Sequence, residues 1–392
     1  MKIAISGAGV AGPALAYWLH RTGHTLTLIE RAPQFRTGGY VIDFWGLGYR
    51  VAQRMGIETA IQDAGYQMRE LRLVDHEGRI EARADVDALR RATNGNYTSL
   101  ARGDLAAAIY GTIEDDVEAI FGTSITAIEE HPHGVRVEFD TTPGREFDLV
   151  IGADGLHSTV RDLTFGPESQ FEHYLGCAVA AFVIDGYALH DDLIYVTYNL
   201  PGRHVGRFSL RGNRTLFLFV FRSERVCDVG DVTSAKARLR REFADARWEC
   251  PQILAALDDV DDLYFDVVSQ IKMDHWSRGR VLLIGDAAAC VSLLAGEGTG
   301  LAITEAYVLA GELARANNDY RRAFAVYESR MRAFIEGKQV GARKFVSFFT
   351  PRTSLGISMR NLAMRAMNIP PVADLLLAHT LVDHFELPDY AI

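Results

Sequence analysis

The sequence predicts an α/β protein in which a parallel-sheet unit is interleaved with a separate antiparallel sheet and followed by a helical segment. Three observations carry this. Lys2 to Glu30 reads as a short apolar run, a glycine-spaced turn, an apolar-periodic helix and a second β-rich run. From about Gly176 to Val268 the pattern changes to long alternating strands. GRVLLIGD, at 279–286, then returns to a buried-strand pattern that feeds a glycine-rich loop and a helix over Leu301 to Ala316.

The first segment contains GAGVAG. Gly7 lets the chain turn sharply out of the first strand, Gly9 lets the backbone approach a pyrophosphate, and Gly12 lets the helix lie close to the sheet. Phosphates there meet N–H groups at the positive end of a helix. Pro13 falls in the first helical turn, where its missing N–H costs little. Glu30 ends the second strand about 20 residues after the turn, where a carboxylate accepts from ribose hydroxyls. Strand, turn, helix, strand and Glu30 together indicate a bound dinucleotide.

Composition narrows the function classes. The 392 residues exceed what one core usually supports, so two intertwined domains are expected. With 48% hydrophobic and 23% charged residues the chain is of ordinary globular type, and no 18-residue apolar run offers a membrane span. Lys2 followed by apolar residues imitates a signal peptide, but the glycines, Arg21 and the lack of a small-residue cleavage site oppose it. A cytosolic protein is expected. A net charge of −10 and the lack of basic runs interleaved with aromatics argue against a nucleic-acid partner, and no membrane partner is expected. Cys177, Cys227, Cys250 and Cys290 lie far apart without CxxC spacing, so neither a zinc site nor a redox dithiol is expected.

The rest follows in order. The glycines at 38, 39, 46 and 48 read as a loop before a helix from about Tyr49. LRLVDHEGRIEAR is a hairpin with Gly78 at its turn, and YTSLARGDLAAAIYGTI is a helix with a Ser/Arg/Asp-rich start. Short β runs at Val117–Ile120, Ser124–Glu130, Val135–Asp140 and Phe147–Ile151 form a meander inserted into the α/β sheet. LIYVTYNL, HVGRFSL and RTLFLFVFRS are the strands of the antiparallel sheet. YRRAFAVYESRMRAFI keeps helical spacing up to a break at Pro351, and a last helical stretch lies near Met359 to Leu377.

Three segments now stand in register: GAGVAG with Glu30, DLVIGADGLHSTVR from Asp148 to Arg161, and GRVLLIGDAAACVSLLAGEGTG from Gly279 to Gly300. Together they resemble the single-component FAD-dependent aromatic hydroxylases, the p-hydroxybenzoate hydroxylase family. The GGYVIDFWGLG loop and the ARGDL start are most similar to the tetracycline-inactivating and polyketide-tailoring flavin monooxygenases. The resemblance implies a Rossmann-like FAD-binding domain of the GR2 type over 1–66, 98–175 and 269–340. It implies a substrate-binding β-sheet domain over 67–97 and 176–268 and a C-terminal helical segment over 341–392. The cofactor-binding residues it implies are Gly7, Gly9, Gly12, Glu30, Arg31, Arg102, Asp154, Asp286, Gly296, Gly298, Thr299 and Gly300. Asp286 would bond a ribityl hydroxyl, the glycines from 296 to 300 would reach the flavin pyrimidine edge, and Arg102 would reach the flavin and its phosphates. Asp154 and Arg161 would serve FAD and the approach of NAD(P)H, with a turn-forming Asp154 and a surface ion pair at Arg161 as the structural alternatives.

The implied activity is hydroxylation of an aromatic or polycyclic small molecule, in natural-product tailoring or antibiotic modification, with NADPH or NADH, O2 and a flavin C4a-hydroperoxide. The flavin carries the chemistry, so no protein nucleophile, triad or metal is expected. The expected partner is a small molecule and the expected state a monomer or homodimer. His204 and Arg207 are the candidate substrate contacts, each weighed against a solvated surface role. Phe182, Tyr195, Tyr198, Phe208, Phe217 and Phe219 are candidates for an aromatic pocket, although half of any alternating set must face the other way.

The chain also departs from the family pattern. Ala289, Ser292 and Leu293 stand where His and prolines are frequent, and Glu297 stands where Gln is frequent, a carboxylate that would oppose an anionic flavin. A FAD-retaining non-redox cyclase, a flavin-linked reductase or dehydrogenase, and a non-catalytic carrier remain as competing readings.

Overall fold

The computed structural model describes residues 1–35, 40–187, 191–224, 231–369, 371–372, 383 and 385–392. Gly38, Gly39, Cys227 and part of the expected 359–377 helix lie outside them. Strand β1 (Lys2–Ser6) passes through the glycine turn into helix α1 (Ala11–Arg21) and strand β2 (Thr25–Glu30). Both strands are buried on two faces, which is why they read as continuous apolar runs rather than alternating ones.

Next come strand β3 (Val41–Trp45), helices α2 (Gly46–Arg54) and α3 (Glu58–Ala64), and the hairpin of β4 (Glu70–Val74) and β5 (Ile80–Asp85). Helix α4 (Asp87–Ala92), strand β6 (Tyr97–Ala101) and helix α5 (Arg102–Tyr110) follow. Two expectations are corrected here. The stretch before Tyr49 contains a strand, since β3 pairs antiparallel with β6 from Val41 opposite Ala101 to Trp45 opposite Tyr97. Tyr97–Ala101 is that partner strand and not a helix start. Every residue of β6 is buried, so it lacks the period-2 signature, and its partner lies more than 50 residues away in sequence.

Strand β7 (Glu118–Phe121) precedes the meander of β8 (Ile125–His131), β9 (Gly134–Phe139) and β10 (Arg145–Phe147). The chain then enters β11 (Leu149–Gly152) and helix α6 (Thr159–Thr164). The second sheet is made by β12 (Glu172–Asp185), β13 (Ile194–Leu200), β14 (Arg203–Leu210), β15 (Arg214–Arg222) and β16 (Tyr264–Ile271). Helices α7 (Val232–Glu242) and α8 (Cys250–Ala256) interrupt the run that was expected to be strand throughout. Strands β17 (Ser277–Arg278) and β18 (Val281–Leu283) return to the first sheet, followed by helices α9 (Asp286–Ala289), α10 (Gly298–Arg315), α11 (Tyr320–Phe349) and α12 (Ser354–Ala366).

The first sheet has the order β17-β18-β11-β1-β2-β7 and is parallel except at its short edge strand β17. The second has the order β16-β12-β15-β14-β13-β4-β5, antiparallel except where β13 runs parallel to β4. Pleating gives this second sheet two distinct faces. On one, Phe182, Tyr198, Phe217 and Phe219 pack beneath α7 and α8 with Leu239, Phe243 and Ile253. On the other, Val179, Val220 and Val268 pack with Leu293 and Leu294 of the loop after α9 and with Val346 of α11. The second face therefore looks toward the first sheet's glycine-rich loops. Among the described residues no helix is long and apolar enough to cross a membrane.

Candidate active site

The site forms where the carboxyl ends of β1, β11 and β18 meet the start of α10. Gly7 has φ +101°, and a Cβ there would stand 2.4 Å from the Ala153 carbonyl oxygen. A Cβ on Gly12 would stand 1.9 Å from the Gly7 carbonyl oxygen, so both positions require glycine for close approach. Gly9 is open instead: its Cβ would meet only the Arg102 guanidinium, at 3.7 Å. Backbone and cation thus share one opening.

Glu30 is pinned across this mouth. One carboxylate oxygen accepts from the Ala8 N–H and the other from the Ala32 N–H, both at 2.9 Å, so the side chain is fixed while each oxygen keeps a free lone pair. Arg31 is exposed beside it. Arg102 begins α5, donates its backbone N–H to the Tyr40 carbonyl at 3.1 Å, and is exposed in the cleft. The Tyr40 side chain and then the charge of Asp286 lie close enough to act on it electrostatically.

Asp286 opens α9 after Gly285, whose φ is +61°. The turn is held from behind by Glu305 of α10, which accepts from the Gly285 N–H at 2.7 Å and from the Tyr327 hydroxyl at 2.8 Å. Burial pushes the Glu305 carboxyl up to about 7. In α10 the first backbone bond inside the helix is Leu301 to the Glu297 carbonyl, which leaves the N–H groups of Gly298, Thr299 and Gly300 ahead of the hydrogen-bonded ladder. Gly296, with φ +69°, makes the turn into this helix. Gly296, Glu297 and Gly300 line a cleft with Asp43, Trp45 and Lys338.

Several side chains are not where the sequence suggested. Arg161 is fully buried rather than a surface ion pair, donating to the Leu156 carbonyl at 2.7 Å, the Ala287 carbonyl at 3.1 Å and Glu168 at 2.6 Å. It ties the 154–161 segment to α9. Asp154 accepts from the Ser158 hydroxyl at 2.5 Å, the Val160 N–H at 3.1 Å and the Ser6 hydroxyl at 3.3 Å, so its oxygens brace the turn between β11 and α6. Glu297 does not face the cleft as a lone charge, because Lys338 pairs with it at 3.0 Å and with Asp383 at 2.7 Å.

His204 and Arg207 lie on opposite faces of the second sheet, and neither is a solvated surface residue. His204 pairs across the ladder with Val220, on the face toward Leu293 and Leu294. It is 3% exposed, its Nδ1 lies 3.0 Å from Asn199 Oδ1, and the Phe349 ring centroid is 4.3 Å from its own. Burial, aided by the Arg360 charge, lowers its pKa to about 3, so it is neutral at ordinary pH. Arg207 pairs across the ladder with Phe217 on the far face, where it bonds Asp191 at 2.5 Å and Glu249 at 3.3 Å. Of the expected aromatics, Phe182, Tyr198, Phe217 and Phe219 share that far face, while Tyr195 and Phe208 share the His204 face.

Two groups gave no sequence signal. Asp43 on β3 accepts from the Tyr97 hydroxyl at 2.7 Å and the Ser99 hydroxyl at 2.6 Å. His157 sits between Glu168 at 2.9 Å and Asp266 at 3.2 Å, and the bonds to Asp266 and Glu168 raise its pKa to about 10. Each depends on partners far away in the chain, which periodicity does not report.

The site therefore offers a close-packed glycine turn, a fixed carboxylate for a ribose, a cation beside an open backbone and a helix N-terminus, a set that fits a flavin dinucleotide. A protein-family model described as "FAD binding domain" matches residues 1–337. The chain belongs to the FAD-binding-domain family of flavin-dependent monooxygenases. It is similar to an uncharacterized protein of Mycobacterium tuberculosis, 41% identical with 86% of this chain and 91% of that protein covered. It is also similar to a flavin-dependent monooxygenase of Legionella longbeachae, 36% identical with 86% and 87% covered. Among solved structures it resembles the tetracycline destructase Tet(55), with a TM-score of 0.84, 32% identity, and 99% of this chain and 98% of that one covered. FAD is thus the cofactor of this monooxygenase.

Proposed function

We propose that this monooxygenase holds FAD between the β1–α1 turn and the start of α10 and places one oxygen atom of O2 on an aromatic or polycyclic small molecule, with NADPH or NADH as a transient reductant. The bound flavin supplies the redox and oxygen-activating chemistry. The observation that carries the reading is the convergence of the Arg102 guanidinium, 3.7 Å from a Cβ position on Gly9, with Asp286, whose charge acts on it and whose Oδ1 stands 3.5 Å from a Cβ position on Gly298 at the start of α10.

The protein's own part is positioning and exclusion of water. Glu30 would accept from the ribose, Gly9 and Arg102 would hold the pyrophosphate, and Asp286 would accept from the ribityl chain. The N–H groups of Gly298 to Gly300 and the helix dipole behind them favour negative charge on the group they face. Glu297, paired with Lys338, does not oppose that charge alone. Leu293 and Leu294 close the loop with apolar surface, and the sheet face bearing Tyr195, His204 and Phe208 is the wall a substrate would meet. His204 is then a neutral hydrogen-bonding wall residue and Arg207 a structural one. Similarity to a protein named a tetracycline destructase supports a polycyclic substrate, and the proposal includes a cytosolic monomer or homodimer.

The test is anaerobic mixing of the flavin-loaded protein with NADPH or NADH and candidate tetracyclines or phenols, following absorbance near about 450 nm before O2 is admitted. Substrate-accelerated bleaching with isotopic oxygen in the product is expected. Bleaching that yields only peroxide would make the protein a reductase, and bound FAD that no nicotinamide reduces would favour the non-redox cyclase.

A further inference from the structure

Helix α12 is amphipathic the wrong way round for a helix packed on a core. Its inward residues are Arg360, Asn361 and Met364, and Arg360 donates to Asn199 at 3.0 Å while Asn361 donates to Glu81 at 2.7 Å. Its outward residues are Leu355, Met359 and Leu362, spaced i, i+4 and i+7 on one stripe and exposed at 71%, 65% and 67%. The C-terminal third of α11 also exposes Val340, Phe345 and Phe348.

The charge around this surface is one-sided. Residues 337 to 369 contain Lys338, Arg343, Lys344, Arg352, Arg360 and Arg365 and no carboxylate, within a chain of net charge −10. Lys338 is paired with Glu297 and Asp383 and Arg360 is turned inward, so Arg343, Lys344, Arg352 and Arg365 are the exposed cations. Neighbouring β5 adds two carboxylates, Glu81, which accepts from Asn361, and the exposed Asp85 beside Asn368, so the cations outnumber the anions at this surface. Exposed leucine and methionine on a helix whose own charged residues are all cations, with Arg343 of α11 also bonded to Gln270 and Arg365 to the Glu81 carbonyl, are the composition of a helix that lies in a lipid interface.

We infer that the α11 end and α12 form a docking surface for an anionic lipid membrane, with Leu355, Met359 and Leu362 entering between headgroups and Arg352 and Arg365 at the level of the phosphates. Charge decides between occupants. A second copy of this chain on a two-fold axis would set the same cations against each other, whereas an anionic surface satisfies all of them. The face is a convex helix stripe, which suits a deformable lipid layer. The inference concerns attachment to a surface and does not depend on the reaction proposed above.

The test is flotation of the full-length holoprotein with vesicles of phosphatidylcholine alone or mixed with phosphatidylglycerol, with its mass in solution measured by light scattering. Flotation only with the phosphatidylglycerol vesicles, weakened by salt, is expected. The triple variant Leu355→Ser, Met359→Ser, Leu362→Ser should stay in solution while keeping its circular dichroism and melting temperature, because those side chains contact solvent. Arg352→Gln and Arg365→Gln should each weaken binding roughly fivefold. The inference is overturned by no flotation with either vesicle, by unchanged flotation of the triple variant, or by a dimer that the triple variant splits into monomers, which would make the face a self-interface.

Discussion

Gly48 of α2 lies directly against Gly300 of α10: a methyl group on Gly48 would stand 2.4 Å from the Gly300 Cα, inside any real contact. The relationship is asymmetric, because a Cβ on Gly300 would stand 3.7 Å from the Gly48 Cα. Gly48→Ala should therefore push α2 off α10, costing about 1 to 3 kcal/mol and loosening FAD. Gly300→Ala should be neutral or stabilising by up to about 1 kcal/mol, since it only removes backbone freedom from a helix. Melting curves and flavin content of the two variants check both.

Arg102 is exposed in the cleft, so its truncation should leave the apoprotein almost unchanged while removing a cation from the proposed pyrophosphate site. Arg102→Ala is expected to weaken FAD by about 1.5 to 3 kcal/mol, roughly ten- to a hundredfold in Kd. Titration of apoprotein by flavin fluorescence quenching measures it, and an unchanged Kd would remove Arg102 from the site.

Arg207 should behave in the opposite manner. Removing it takes the cation from Glu249 beneath α8, while Asp191 keeps Arg72 at 2.7 Å and both carboxylates stay partly exposed, so Arg207→Ala should cost about 1 to 3 kcal/mol of stability. At low temperature, the folded fraction should show an unaltered KM for substrate. His204→Ala, on the other face, should alter KM more than stability, and kinetics beside denaturant unfolding separate the two.

Glu305 supplies a pH dependence with a definite sign. Its folded carboxyl, raised to about 7, holds a proton that the unfolded chain releases near the ordinary glutamate value of 4.5. The stability contributed by that proton is fully present below pH 4.5 and is lost as pH rises through 7. Glu305→Gln should flatten the slope of unfolding free energy across that window, measured by urea titration at stepped pH. A slope identical to the parent's would show that Glu305 does not titrate there.

Ser292, in the loop between α9 and α10, has φ +152° and a buried hydroxyl with no hydrogen-bond partner among the described residues. Glycine adopts that backbone without a Cβ penalty, so Ser292→Gly should stabilise by about 1 to 3 kcal/mol if the loop keeps its conformation. Calorimetric melting of the flavin-loaded variant checks it.

What the sequence revealed was local. The GAGVAG turn with Glu30, the hairpin around Gly78 and the strand before Gly285 each announce themselves within a dozen or so residues, through glycine spacing or periodicity. Alternation in HVGRFSL shows that His204 and Arg207 point apart, but it carries no information about which face meets the cofactor; α7 and α8 decide that by covering the Arg207 side. Val41–Trp45 and Tyr97–Ala101 are strands only because they find each other across the chain. Glu305 looks like any polar position of an apolar helix until Gly285 and Tyr327 are placed against it, and the pairing of Glu297 with Lys338 spans 41 residues. Long-range partners were the missing information.

The strand order of the first sheet also bears on how the protein is made. β1 leaves the ribosome well before its neighbour β11, which ends at Gly152, the next strand β18, which ends at Leu283, and the helix start at Gly300 that completes the cleft. A chain emerging at roughly 5 to 20 residues per second must shield an unpaired β1 edge for many seconds. Flavin has no complete cleft to enter until Gly300 is out. Cofactor loading is then a late event in biogenesis, and a polypeptide released before residue 300 would be both colourless and prone to edge-to-edge association.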